Sequence, residues 1–179
     1  MDTNEHALVK SLRKDVRSGF EKYLLSIVRC LQSLNEKEIW WRPNKASNAA
    51  GNVILHLCGN VRQWIVSGLG GAPDLRVREK EFSERGPVPR KMLITQLKAS
   101  VGEACEVIDR LPAEKLLQEF KIQNYRVSGL TAILHVYEHF AYHAGQITYL
   151  TKLTRGKDLR LTRLPNKKTA ASQSRKQHP

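Results

Sequence analysis

Apolar residues recur at steps of three and four along four long stretches of this chain and almost nowhere alternate. A period near 3.6 gathers one apolar face on a helix and scatters it on a strand, so the pattern confines the fold to packed helices. The first stretch, residues 4–34, carries Leu8, Leu12, Val16, Phe20, Leu24, Ile27 and Leu31. The second, 49–68, sets Val53, Leu57, Val61 and Trp64 on one side, with Ser47 and Asn48 as candidate caps and Gly68, Gly70 and Gly71 at its end. The third spans 89–110 and stops at Leu111-Pro112. The fourth spans 129–153, capped by Ser128 and followed by Gly156. Phe120-Lys-Ile and Tyr125-Arg-Val read as too short to build a sheet.

Residues 69–87 are rich in Gly, Pro and charge and read as a long connection. At ~3.3 Å per residue such a segment can cross a helix length of ~30 Å, which permits an all-α four-helix bundle running up, down, down, up with one long crossover between helices 2 and 3. A faint repeat agrees with two related hairpins: Ile54-Leu-His56 returns as Ile133-Leu-His135.

The formal charge of +13 invites a nucleic-acid reading, so its location matters. Residues 151–179 hold nine Lys/Arg against one Asp, whereas residues 1–150 are only modestly basic. The chain therefore reads as a bundle over 1–155 with a basic C-terminal tail over 156–179, expected to be disordered at its end. The folded part shows no basic stripe, which disfavours nucleic acid as a partner. No apolar run approaches the ~20 residues that span a bilayer, and Met-Asp-Thr-Asn-Glu does not read as a secretory signal. Cys30, Cys58 and Cys105 are odd in number and far apart, pointing to reduced thiols in a cytoplasmic protein.

Chemistry concentrates in the histidines. Of six, His135, His139 and His143 fall at i, i+4, i+8 of the fourth helix. His139 and His143 share a face one turn apart, a spacing at which two imidazoles can hold one ion. His56 sits in an apolar helix, where an imidazole needs a partner. In antiparallel helices of equal centre height His56 lies level with His139 and His143, while His135 lies ~9 Å from the helix middle. His56, His139 and His143 are thus the expected metal ligands, with His135 as a supporting residue. Cys58 points away from His56, and Glu138 is a candidate for orienting a ligand. Arg62 is read either as a receiver of a substrate carboxylate or as solvated. Trp40 and Trp41 are read as packing residues, Gly145 as permitting close helix packing and Gln146 as capping polar groups near the site. Three neutral imidazoles leave open positions on a divalent ion such as Zn, Ni, Fe or Cu.

Four segments together carry a family resemblance: Leu34-Asn-Glu-Lys-Glu-Ile-Trp-Trp-Arg-Pro-Asn, Ser47-Asn-Ala-Ala-Gly-Asn-Val-Ile-Leu-His-Leu-Cys-Gly-Asn-Val-Arg-Gln-Trp-Ile, Glu79-Lys-Glu-Phe-Ser-Glu-Arg-Gly-Pro-Val-Pro and Glu138-His-Phe-Ala-Tyr-His-Ala-Gly-Gln-Ile. As a set, over most of residues 4–155, they resemble the DinB / YfiT-like superfamily of metal-dependent proteins, within an uncharacterised bacterial branch. The resemblance implies an up-down-down-up four-helix bundle with one ligand from the second helix and two from the last, which here are His56, His139 and His143. Ala144 stands where many relatives carry an arginine. The resemblance also implies a homodimer and a small-molecule substrate, with a low-molecular-weight thiol as cosubstrate of an S-transferase or isomerase. Two other readings stay open: a non-catalytic metal-binding or stress-response protein, and a nucleic-acid-binding module acting through the tail.

Overall fold

The computed structural model describes residues 3–86, 88–159 and 161. Most of them are helical. Helix α1 spans Thr3–Ser33, α2 Glu36–Ile39, α3 Ala50–Val61, α4 Arg78–Ser83, α5 Arg90–Arg110 and α6 Gly129–Arg155. The four long helices match the four periodic stretches. Helix α1 packs against α5 and α6, and α3 packs against the same two, so each long helix has two long neighbours around one core. Phe20 of α1 and Phe140 of α6 meet edge to face at 5.3 Å, and Leu93 and Leu97 of α5 are fully buried with them.

Helix α3 is buried nearly all round, ten of its twelve residues being enclosed, which explains its apolar composition. Its start differs from expectation. Neither Ser47 nor Asn48 caps it; Asn52, one turn in, accepts a hydrogen bond from the Ala49 N–H at 3.3 Å. Beyond Val61 the chain widens into a π-helical turn over Arg62–Ser67, in which the Gly68 N–H reaches back to the Gln63 carbonyl at 3.0 Å.

Three local elements escape the periodicity. Asn35 and Glu38 form a reciprocal capping box that starts the one-turn α2. Helix α4 lies inside the segment read as a connection. The stretches read as too short for a sheet do pair, as antiparallel strands β1 (Glu119–Ile122) and β2 (Tyr125–Ser128). The all-α expectation is corrected to that extent: the fold is mostly helical with one strand pair. The strands are joined by a two-residue turn in which Gln123 takes φ 54°, and Ile122 is anchored in the core. Ser128 Oγ then caps α6 by accepting from the Thr131 N–H at 3.1 Å, and Gly156 ends that helix at φ 62°. Leu159 and Leu161 pack against the core, and residues 162–179, the bulk of the expected tail, lie outside the described residues. Among the described residues no helix is long and apolar enough to cross a membrane.

Candidate metal centre

The structure brings His56, His139 and His143 together and leaves His135 beside them. Nε2 of His139 lies 2.8 Å from Nε2 of His56 and 3.1 Å from Nε2 of His143. Three imidazole nitrogens around one ion at about 2.0–2.1 Å stand roughly 3.3 Å apart in a tetrahedral array, so these two spacings are within about half an ångström of a ligand set. Among the described residues these three form the group whose donor atoms could hold a metal ion.

The far nitrogens decide the tautomers. His56 Nδ1 lies 2.9 Å from Glu81 Oε2, and a carboxylate can only accept, so His56 carries its proton on Nδ1. His143 Nδ1 lies 2.7 Å from Gln146 Oε1 and donates to that carbonyl. Both rings therefore aim an Nε2 lone pair at His139. A proton on His139 Nε2 can bond well to only one of them, whereas a cation satisfies all three nitrogens. The donor set fits a divalent ion.

Glu81 is the residue that sequence reading missed. Its carboxylate, 9% exposed, also accepts from Arg76 Nε at 2.7 Å and Arg76 Nη2 at 2.9 Å. Arg76 Nη2 is 3.0 Å from His56 Nδ1 as well, but two donors cannot bond each other, and both serve the carboxylate. Burial pushes the Glu81 carboxyl up, yet the hydrogen bonds from Arg76 and His56 outweigh it and hold the group below its ordinary range. Asn52 sets this arrangement: its Nδ2 donates to the backbone carbonyls of Glu81 and Glu84, both at 2.9 Å, and so clamps α4 onto α3. Gly59 makes the approach possible, because a methyl group there would overlap Glu81 Oε1 and Arg76 Nε. Arg76 Nη1 is held in turn by Gln63 Oε1 at 2.8 Å, from the π-helical turn.

Burial favours the neutral form of His139 and His143. His139 is pushed down to about 3, first by burial and then by the like charges that His143, His56, His135 and Arg76 would present. Burial also lowers His143, against the opposing hydrogen bond of Gln146. Neutral imidazole is the form that ligates.

The other candidates resolve as follows. His135 is half-buried, with its ring stacked 4.1 Å from Trp64 and 5.7 Å from His139, and stands outside the ligating group. Glu138 is exposed, and the orienting carboxylate is Glu81 instead. Arg62 is exposed and pairs with Glu103 at the surface, which agrees with its reading as a solvated residue. Gly145 faces open space and supports no close packing, whereas Gln146 does hold His143. The Trp40 ring packs on Gly51 and Gly86, as expected of a packing residue, while Trp41 is 41% exposed. Cys58 is buried, its thiol pushed up to about 12 by burial, and is not among the converging donors. A cleft of about 490 Å³ opens beside His56 and His139, bounded by Asn60, Trp64, Arg78 and Tyr125.

Comparison with known proteins agrees with this architecture. A search of curated proteins finds no match. Among solved structures the chain is similar to the DinB-like protein YjoA of Bacillus subtilis, with TM-score 0.61 and 16% identity over 85% of this chain and 96% of that one. It is similar to a conserved protein of Enterococcus faecalis (TM-score 0.67, 15% identity, 80% and 97% covered). A DinB-like protein of Bacillus cereus also matches (TM-score 0.64, 15% identity, 82% and 94% covered). At these identities the likeness shows the fold. The family model described as "Protein of unknown function (DUF1572)" matches residues 8–168, so a DinB-like fold around three converging histidines goes with membership of that family, to which the chain belongs.

Proposed function

We propose that this protein is a metal-dependent enzyme in which His56, His139 and His143 hold one divalent ion and the adjoining cleft admits a small-molecule substrate. The observation that carries the reading is the pair of tautomer-fixing contacts, His56 Nδ1–Glu81 and His143 Nδ1–Gln146, which leave three Nε2 atoms convergent. When bound, the ion supplies a Lewis acid with positions open to water or a thiol, lowering the pKa of either.

The protein's own residues set the terms of that chemistry. Three neutral imidazoles bring no negative charge, and Glu81 is balanced by Arg76. The centre therefore favours an anionic occupant such as hydroxide or thiolate over a neutral one. The desolvated His139 ring stays unprotonated at neutral pH, and the wall of Trp64 and His135 limits water on one side. S-transfer or isomerisation with a low-molecular-weight thiol is the reaction this polarity suits, as the DinB resemblance implies. The three buried free cysteines suit a reducing, cytoplasmic setting. The same reading takes residues 1–155 as an up-down-down-up bundle with its crossover between α3 and α5, 156–179 as a basic tail, and the working form as a homodimer.

The test is turnover. Protein purified without a metal-affinity tag and loaded with Zn, Ni or Fe is screened with electrophiles and several thiols, beside His139→Ala. Thiol consumption by the loaded protein and none by the variant supports the enzyme. Tight metal binding with no turnover of any pair would identify a non-catalytic metal-binding protein instead.

A further inference from the structure

The outward face of α6 differs from those of the other long helices. From Gly129 to Thr151 the helix carries a single formal charge, Glu138. Leu134, Glu138, Tyr142, Gly145, Tyr149 and Leu153 are all exposed. At ~100° per residue they fall within one ~100° arc and form a stripe ~28 Å long. The exposed faces of the other helices are charged instead, with Lys10, Lys14 and Glu21 on α1 and Lys98, Glu106 and Asp109 on α5. On the stripe Leu134 is 42% exposed, Tyr142 64%, Tyr149 69% and Leu153 53%. These four side chains alone present roughly 500 Å² to water, at the upper end of what a monomer leaves in one patch. Aromatic enrichment with charge depletion is the composition of an interface core.

The order of residues along the stripe is self-complementary. When α6 runs antiparallel to a copy of itself about a twofold axis at Gly145, residues equally far before and after that glycine come level. Glu138 then faces Lys152 of the second copy, and Tyr142 faces Tyr149 of the second copy to within one residue. Neither Glu138 nor Lys152 forms an ion pair with any described residue of its own chain, and both are exposed. Gly145 packs on nothing within its own chain. A glycine inside a helix weakens it relative to alanine, but at a crossing point the bare backbone lets two helices approach closely. Two stripes together bury about 1,000 Å², which reaches the size of a specific interface.

We propose that this face of α6 joins two copies of the chain, as antiparallel helices crossing at Gly145 with Glu138 of each copy paired to Lys152 of the other. The inference rests on the homodimer reading and names its interface. The contact is isologous, so each residue acts twice.

The test is sedimentation of full-length, tag-free protein, which should be dimeric at ~10 µM. Tyr142→Ser and Tyr149→Ser alter only exposed side chains, so both should keep the helicity of the wild type. Each should weaken the dimer by ~100-fold. Glu138→Lys and Lys152→Glu should each weaken it by ~tenfold through like-charge contact, and the two combined in one chain should restore it to within ~threefold. Glu138→Gln merely neutralises an exposed pair and should change it little. In Gly145→Cys mild oxidation should cross-link the dimer, whereas Gly102→Cys, equally exposed on α5, should not cross-link; the three native cysteines are buried. A dimer indifferent to the tyrosine variants and to the charge exchange refutes this interface and leaves the homodimer reading standing. A monomer at ~100 µM overturns both. A monomer that dimerises only when residues 162–179 are deleted assigns the face to the chain's own tail and overturns the inference as well.

Discussion

Replacing Glu81 by Gln separates the carboxylate's role from the shape of its side chain. In the native protein Glu81 accepts three hydrogen bonds, two from Arg76 and one from His56, with both charged side chains under 10% exposed. Glutamine keeps one oxygen but turns an NH2 group toward donors, leaving the buried guanidinium without a counter-charge. Breaking one side of a buried pair costs about 3–5 kcal/mol. For a domain of this size each kcal/mol lowers the melting temperature by about 2–4 °C, so the metal-free variant should melt roughly 6–20 °C lower. The lost orientation of His56 should weaken metal affinity by about 10- to 100-fold. Scanning calorimetry of chelator-treated protein and competition with a chromophoric chelator read the two effects separately. Glu138→Gln, on the exposed side of α6, is the control and should leave both unchanged. The reasoning is refuted if Glu81→Gln melts within ~2 °C of wild type and binds metal as tightly, or if Glu138→Gln behaves like it.

Four further outcomes are expected. His56→Ala and His139→Ala should each lose most bound metal in elemental analysis, while His135→Ala retains it; equal loss in all three would put His135 among the ligands. The folded pKa of His139 lies at about 3, below the unfolded value near 6.5, so its contribution to stability is complete above ~6.5 and is lost as pH falls through that range toward about 3. With the ring half-exposed this amounts to about 2 kcal/mol, so metal-free protein should lose several degrees of melting temperature between pH 6.5 and 4, and a flat profile would contradict it. Loaded protein should fall faster, its advantage vanishing as protons displace the ion. Gly59→Ala, which intrudes on the Glu81–Arg76 pair, should lower metal affinity and stability by about 1–3 kcal/mol. Gly102→Ala, facing open space in α5, should be neutral or stabilising by up to about 1 kcal/mol, as thermal melts will show.

The long helices and the three histidines were legible because both rest on local spacing. Periodicity located α1, α3, α5 and α6 within a few residues, and i, i+4 spacing plus the depth of His56 selected the convergent rings over His135. Glu81 was not legible. It is one of three glutamates in Glu79-Lys-Glu-Phe-Ser-Glu, and only the docking of six-residue α4, clamped by Asn52 and admitted by Gly59, decides which one is buried. A usable signal did exist: a histidine inside an apolar helix needs an acceptor for its second nitrogen, and the nearby loop was rich in carboxylates. The strand pair was missed because Gln123-Asn124 is not a usual hairpin turn and four-residue strands alternate too briefly to register.

The central claim, that three imidazoles of this chain hold one ion, is tested most directly by X-ray absorption spectroscopy of tag-free protein reconstituted with zinc. The account predicts one zinc per chain, with three imidazole nitrogens at about 2.0–2.1 Å and a water oxygen as fourth ligand. Zinc at well under one equivalent, or a sulfur-containing shell that survives His139→Ala, would contradict it.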